Sequence, residues 1–153
     1  RAESAGLRLT AHAGEAAGPE SVWSALRDLG VERIGHGVRA VEDTELLEHL
    51  VVSQIPLEVC PTSNICTGIA DGWAEHPVHE LLEVGANVTI NSDDPTFFNC
   101  TLAGELRSLF ADEPVRSRDV TLAAIAASWM GSPEKERLAE SVRDWWAGRN
   151  ETD

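Results

Sequence analysis

The stretch HPVHELLEVGANVTINSDDP, residues 76–95, holds one helix, one strand and a polar strand end in a single short run. Pro77 starts the helix, because a helix start leaves donors unpaired anyway and proline has none to lose. Val78, Leu81 and Leu82 then share a face at helical spacing, and Gly85 stands just past the end. Asn87–Asn91 reads as a strand, and it runs straight into Ser92-Asp93-Asp94-Pro95. A strand that delivers two neighbouring carboxylates at its carboxyl end is the unit to look for elsewhere.

The unit recurs upstream. Leu7–Ala11 reads as a strand, with His12 and then Ala13-Gly14-Glu15 after it. Pro19 opens a helix with Val22, Ala25, Leu26 and Leu29 on one face and Gly30 as its stop. Glu32–Ile34 is a short strand ending in Gly35-His36-Gly37. A helix from about Thr44 to Ser53 follows, with Leu46, Leu47, Leu50 and Val51 inward. Pro56–Cys60 is the third strand, leading into a turn-rich loop, Pro61-Thr62-Ser63-Asn64. Beyond residue 95 only helices are expected: Leu102–Phe110, a run capped by Ser117 through Trp129, and a last one opened by Ser132-Pro133 to about Trp146. Four strand–helix units with short links predict an α/β fold with parallel strands and right-handed crossovers. They fit a small open sheet or half of a (β/α)8 barrel, and composition does not separate the two.

Composition bounds the partners. The chain has 153 residues, 42% hydrophobic and 25% charged, which suits one domain with a packed core. Its net charge of −14 repels phosphate backbones, so nucleic acid is excluded as an expected partner. No apolar run approaches the ~20 residues a membrane span needs, and no secretion signal pattern is visible. Cys60, Cys66 and Cys100 fit neither a zinc ribbon nor a disulfide framework, so a reducing cytoplasm is the expected compartment. The glycosylation triplets at Asn87 and Asn99 carry little weight without a secretion signal. The chain opens without Met, and AGLRLT (5–10) reads as the middle of a longer protein.

Each of the four strands ends in residues that chemistry uses. The first supplies His12 and Glu15, the second His36, the third Ser63 and Asn64, the fourth Asp93 and Asp94. Parallel α/β folds gather ligands at the carboxyl ends of their strands. Taken alone, His12 is more often a structural histidine, and Asp94 before Pro95 explains itself as a helix cap. Two adjacent carboxylates at the mouth of a buried strand need a further reason, since burial worsens their repulsion unless a cation offsets it. Imidazole with carboxylate points to zinc or another first-row metal, with His12 and one Asp as ligands and His36 as a possible third. His76 and His79 read instead as a solvated helix terminus, the Trp145-Trp146 pair as packing, and Cys60 as a small buried apolar residue without a base beside it.

The stretches LTAHAGE (9–15), ERIGHGV (32–38), PLEVCPTSN (56–64), HPVHELLEVGANVTINSDDP (76–95) and TLAGE (101–105) resemble, in this order, the adenosine deaminase family. The resemblance covers most of residues 7–110. It implies the last four strands of a (β/α)8 TIM-type barrel plus C-terminal helices. Residues 1–153 would then be the C-terminal part of a single deaminase domain whose N-terminal half is absent. It also implies hydrolytic deamination of adenosine or a related 6-aminopurine by zinc-activated water. By position, His12 and Asp93 correspond to zinc ligands and Glu15 to the acid that protonates N1 of the purine. His36 corresponds to the residue that orients and deprotonates the metal-bound water, and Asp94 to the partner of purine N7. The family's first strand carries a His-x-His that supplies two more ligands, and this sequence contains none. The chain alone is therefore expected to bind zinc weakly and to turn over nothing.

Adenine deaminase and aminodeoxyfutalosine deaminase share these motifs and are the alternative readings of substrate. A non-catalytic barrel-derived binding domain predicts decay at Glu15, His36, Asp93 or Asp94, and all four are present. An amidohydrolase with a carbamylated bridging lysine is excluded on these strands, because the only lysine is Lys135, in the last expected helix.

Overall fold

The computed structural model describes residues 2–111 and 113–150. Four strands, β1 (Thr10–Ala13), β2 (Arg33–His36), β3 (Leu57–Val59) and β4 (Val88–Ile90), form one sheet in the order β1-β2-β3-β4. Every neighbouring pair is parallel. Consecutive strands are thus always adjacent. A doubly wound sheet would reverse its order at a switch point, and none occurs here. The open-sheet alternative falls away, and the sheet is an arc of a (β/α)8 barrel.

Helices α1 (Pro19–Asp28), α2 (Thr44–Ser53), α3 (Pro61–Cys66) and α4 (Val78–Glu83) connect the strands, and α5 (Pro95–Phe98), α6 (Leu102–Phe110), α7 (Pro114–Ala127) and α8 (Ser132–Asn150) follow them. The expected limits of α2 and α6 coincide with those observed. In α2 the Asp43 carboxylate accepts the Leu46 N–H at 3.1 Å, which satisfies one of the orphan donors of the first turn. Leu46 and Leu50 are fully buried on its inner face. Each such side chain contributes about 1.5–3 kcal/mol on removal from water.

Three expectations are corrected. The first two strands begin later than their apolar pattern predicts, at Thr10 and Arg33, and so include His12 and His36. Their extent is set by pairing, Thr10 with Arg33 through Ala13 with His36, and pairing is a property of the partner strand. Pro61-Thr62-Ser63-Asn64 is the first turn of α3 and not a loop. Pro61 sits at the helix start, and the Asn64 N–H donates to the Cys60 carbonyl at 3.0 Å. Ser117 lies inside α7, whose start is set by Pro114.

Side chains alternate across the sheet. Ile34, Leu57, Val59, Val88 and Ile90 point outward into the core formed with the helices. Thr10, His12, Arg33, Glu58 and Asn91 occupy the intervening positions, where they hydrogen-bond with one another or line the cleft described below. Helix α7 packs against β4 and α8 against α7. At the amino ends of the strands, the Arg33 guanidinium lies 4.2 Å from the centre of the Trp129 ring and donates to the Ala127 carbonyl. None of the described helices is long and apolar enough to cross a membrane, and all three cysteines are free thiols.

Candidate active site

The carboxyl ends of the four strands open into a cleft of about 330 Å³. His12, His36, Glu58, Cys60, Asn91 and Asp93 are among its lining residues, which include no lysine or arginine among the described residues. The closeness of the two histidines depends on Gly35. A Cβ there would stand 2.5 Å from Cδ2 of His12, so only glycine lets that ring lie down against the neighbouring strand. The His12 and His36 rings meet edge to face with centroids 5.0 Å apart.

His36 is the centre of the arrangement. It is 2% exposed. Its Nε2 lies 3.6 Å from Oε2 of Glu15 and 3.8 Å from Oδ2 of Asp93, both longer than a hydrogen bond. Ligand atoms of His12, Glu15 and His36 lie within 4.8 Å of one another, as do those of His36, Cys60 and Asp93. Burial holds the His36 pKa below the usual histidine value, with the Glu15 carboxylate opposing it. Two of these residues carry backbone strain. His36 has φ of 64° and Asp93 φ of 55°, the left-handed region that a non-glycine residue enters at a cost of about 1–3 kcal/mol. Such strain is retained where the surroundings hold a side chain in one required direction.

The first turn of α3 supports both groups. Ser63 Oγ donates to Oδ2 of Asp93 at 2.7 Å, and the Asn64 side-chain amide meets Nδ1 of His36 at 3.2 Å. The turn is itself held by Glu105, a fully buried carboxylate that accepts the Thr62 N–H at 3.0 Å.

Of the residues singled out in the sequence, His12, His36 and Asp93 line one cleft and Glu15 reaches it through His36. Asp94 stands apart. It caps α5, its Oδ1 accepting the Phe97 N–H at 2.9 Å, so one of its oxygens is already engaged. Glu58, Cys60 and Asn91 are among the lining residues not anticipated as part of a site. The period of two along PLEVC carries the signal, since Glu58 and Cys60 alternate with the buried Leu57 and Val59. Cys60 does have a base beside it, contrary to expectation, but burial and the nearby Asp93 carboxylate push its thiol up to about 12, so it stays protonated. His76 is buried rather than solvated, with Nδ1 accepting the Val78 N–H at 3.0 Å.

Imidazoles and carboxylates facing one another without hydrogen bonds, and without a cationic side chain among the lining residues, form a donor set of the kind zinc takes. The residues present fit such an ion.

The comparisons with known proteins agree with this geometry. The Adenosine deaminase family matches residues 1–145. An aminodeoxyfutalosine deaminase of Streptomyces coelicolor is 45% identical over 151 residues, 96% of this chain and 39% of that protein. An adenosine deaminase of Yersinia pseudotuberculosis is 52% identical over 145 residues, 93% of this chain and 43% of that one. The chain thus spans about two-fifths of the length of these relatives. Among solved structures, an adenine deaminase from Arthrobacter aurescens superposes with a TM-score of 0.92 at 37% identity, covering 96% of this chain and 46% of its own. An amidohydrolase from Burkhoderia ambifaria with bound zinc gives a TM-score of 0.86 at 27% identity, covering 98% and 43%. With a barrel arc, a cleft at its strand ends and a family match over nearly its whole length, the chain belongs to the adenosine deaminase family.

Proposed function

We propose that this chain is the part of a hydrolytic deaminase domain that carries most of the reacting side chains, and that its substrate is adenosine or a related 6-aminopurine. The observation that carries the reading is the convergence of His12, His36 and Asp93, from three different strand ends, around one cleft, with Glu15 beside His12 and His36. Adenine and aminodeoxyfutalosine are equally supported as substrates, because relatives of all three names match the chain.

His12 and Asp93 would hold a zinc ion, together with ligands from outside this chain. Bound there, the ion acts as a Lewis acid that lowers the pKa of a water toward about 7. The remaining work falls to the chain's own groups. Glu15 protonates N1, so that the ring can accept the electron pair displaced when water oxygen attacks C6. It must hold a proton to do so. His36 and Asp93 face the attacking oxygen with an imidazole and a carboxylate, the pair that orients it and takes its proton. Asp94 is the partner of N7; since N7 only accepts, the hydrogen bond needs a proton on the Asp94 oxygen not engaged in capping α5. The proton taken from the water passes to the C6 amine, which leaves as ammonia, and the C6 hydroxyl proton returns to Glu15 as the 6-oxopurine forms.

Ammonia release by the complete protein that contains these residues, measured with adenosine, adenine and aminodeoxyfutalosine in parallel, tests the proposal. Turnover of one of the three is expected, and no turnover of any 6-aminopurine by zinc-loaded protein would refute it. The 153-residue chain by itself is expected to show none.

A further inference from the structure

We infer that Asn64 is a positioning residue that keeps His36 in the neutral tautomer with its proton on Nε2, so that His36 gives a hydrogen bond to the attacking water while Asp93 takes the proton.

Imidazole has two nitrogens, and in its neutral form one donates and the other accepts; what the far nitrogen meets decides which. In His36 the far nitrogen is Nδ1, and it meets the Asn64 side-chain nitrogen at 3.2 Å. An amide nitrogen can only donate, so Nδ1 must offer its lone pair and the ring proton resides on Nε2. That proton faces the gap between Glu15 and Asp93, 3.6 and 3.8 Å away. A water oxygen seated in the gap would find an N–H donor and a carboxylate acceptor. As its bond to C6 forms, the proton it loses passes to the Asp93 carboxylate, which Ser63 holds in place, and not to a ring nitrogen already protonated.

Neither ring nor amide is free to turn away. His36 is 2% exposed and Asn64 fully buried. Asn64 sits in the first turn of α3, tied at its own N–H to the Cys60 carbonyl, and the turn is pinned through Thr62 to Glu105. The Asn64 Oδ1 has no partner among the described residues. A buried acceptor left open is destabilising. A plain packing role would not need an amide at this position.

The catalytic part rests on the deaminase reading, whereas the tautomer does not, so the two can fail separately. The test is nitrogen NMR of histidine-labelled protein, on the complete protein in metal-free form, with His36 assigned by the loss of its signals in His36→Gln. Wild type is expected to show the proton on Nε2 and a bare Nδ1. Asn64→Asp, whose carboxylate can only accept, is expected to draw a proton onto Nδ1 and to lower kcat by about 10²-fold with KM changed far less. Asn64→Leu is expected to leave a mixture of tautomers. A proton on Nδ1 in wild type, or the same ring signals in wild type, Asn64→Asp and Asn64→Leu, overturns the inference. The wild-type spectrum decides even where a variant does not fold. An altered tautomer in Asn64→Asp with unchanged kcat overturns the catalytic half.

Discussion

The two ends of the sheet interior are both polar, yet they are organised in opposite ways. At the amino ends of the strands the charges are closed. Arg33 pairs at 2.9 Å with Glu58, a mid-strand residue of β3 that also lines the cleft, donates to the Ala127 carbonyl and stacks on Trp129, while Arg8 pairs with Glu32 and lies 5.8 Å from the same ring. At the carboxyl ends His36, Glu15 and Asp93 stop short of hydrogen-bonding distance. Two of the residues there, His36 and Asp93, carry left-handed backbone, and no residue of β1–β4 at the amino ends does. One end spends its polar groups on holding α7 and α8 against the sheet. The other leaves them available for a ligand. In barrel enzymes this is the usual split between a stabilising bottom and a reactive top.

Substitutions at the open end should cost activity and those at the closed end stability. The largest effect expected is on Glu15→Gln in the complete protein: turnover down by roughly 10²–10⁴-fold with metal content unchanged, read by ammonia release and metal analysis. Wild-type turnover in that variant would remove the proton-donor role. Next comes Asp93→Ala, expected to lose most bound zinc while the fold, followed by circular dichroism, survives. Full metal retention would mean that the carboxylate is not a ligand.

A buried polar group that belongs to neither end supplies the baseline. Burial lowers the His76 pKa from 6.5 to about 4. Between those values the unfolded chain binds the proton and the folded chain does not, so stability falls as pH drops through that window. The expected loss is about 3 kcal/mol, and it should flatten in His76→Asn, whose oxygen can still accept the Val78 N–H. Parallel denaturation curves at pH 7 and pH 4 for both proteins check this.

At the closed end, Arg33→Met should destabilise by about 2 kcal/mol, below the full figure for a buried pair because both side chains retain some exposure. If it abolished turnover without loss of stability, the contrast between the ends would break. The smallest effect is expected from Thr101→Ala, which removes the cap on the Gly104 N–H of α6 and should cost about 1 kcal/mol in chemical denaturation.

Much of this was legible in advance because it is local. A proline start placed α1 and helical spacing placed α2 and α6, and the order of strand-end polar residues placed His12, His36 and Asp93 at one rim. The strand limits were less legible, since a strand of three or four residues is defined by its partner. Pro61–Asn64 looked like a loop because its residues favour turns, and only the carbonyls around it show that a helix begins there. Glu58 and Cys60 were overlooked because an alternating strand was read for its apolar half alone.

The amino-acid sequence by itself determined the alternation of strands and helices, the acidic surface and the chemical types at the strand ends, since these follow from periodicity and composition along the chain. The tertiary structure alone decided that the strands run in sequential order, that His36 stands between the carboxylates of Glu15 and Asp93, and that Asn64 and Ser63 reach across to hold the ring and the acid. Those facts depend on distances between residues 21 to 57 positions apart, which sheet pairing creates and no local pattern encodes.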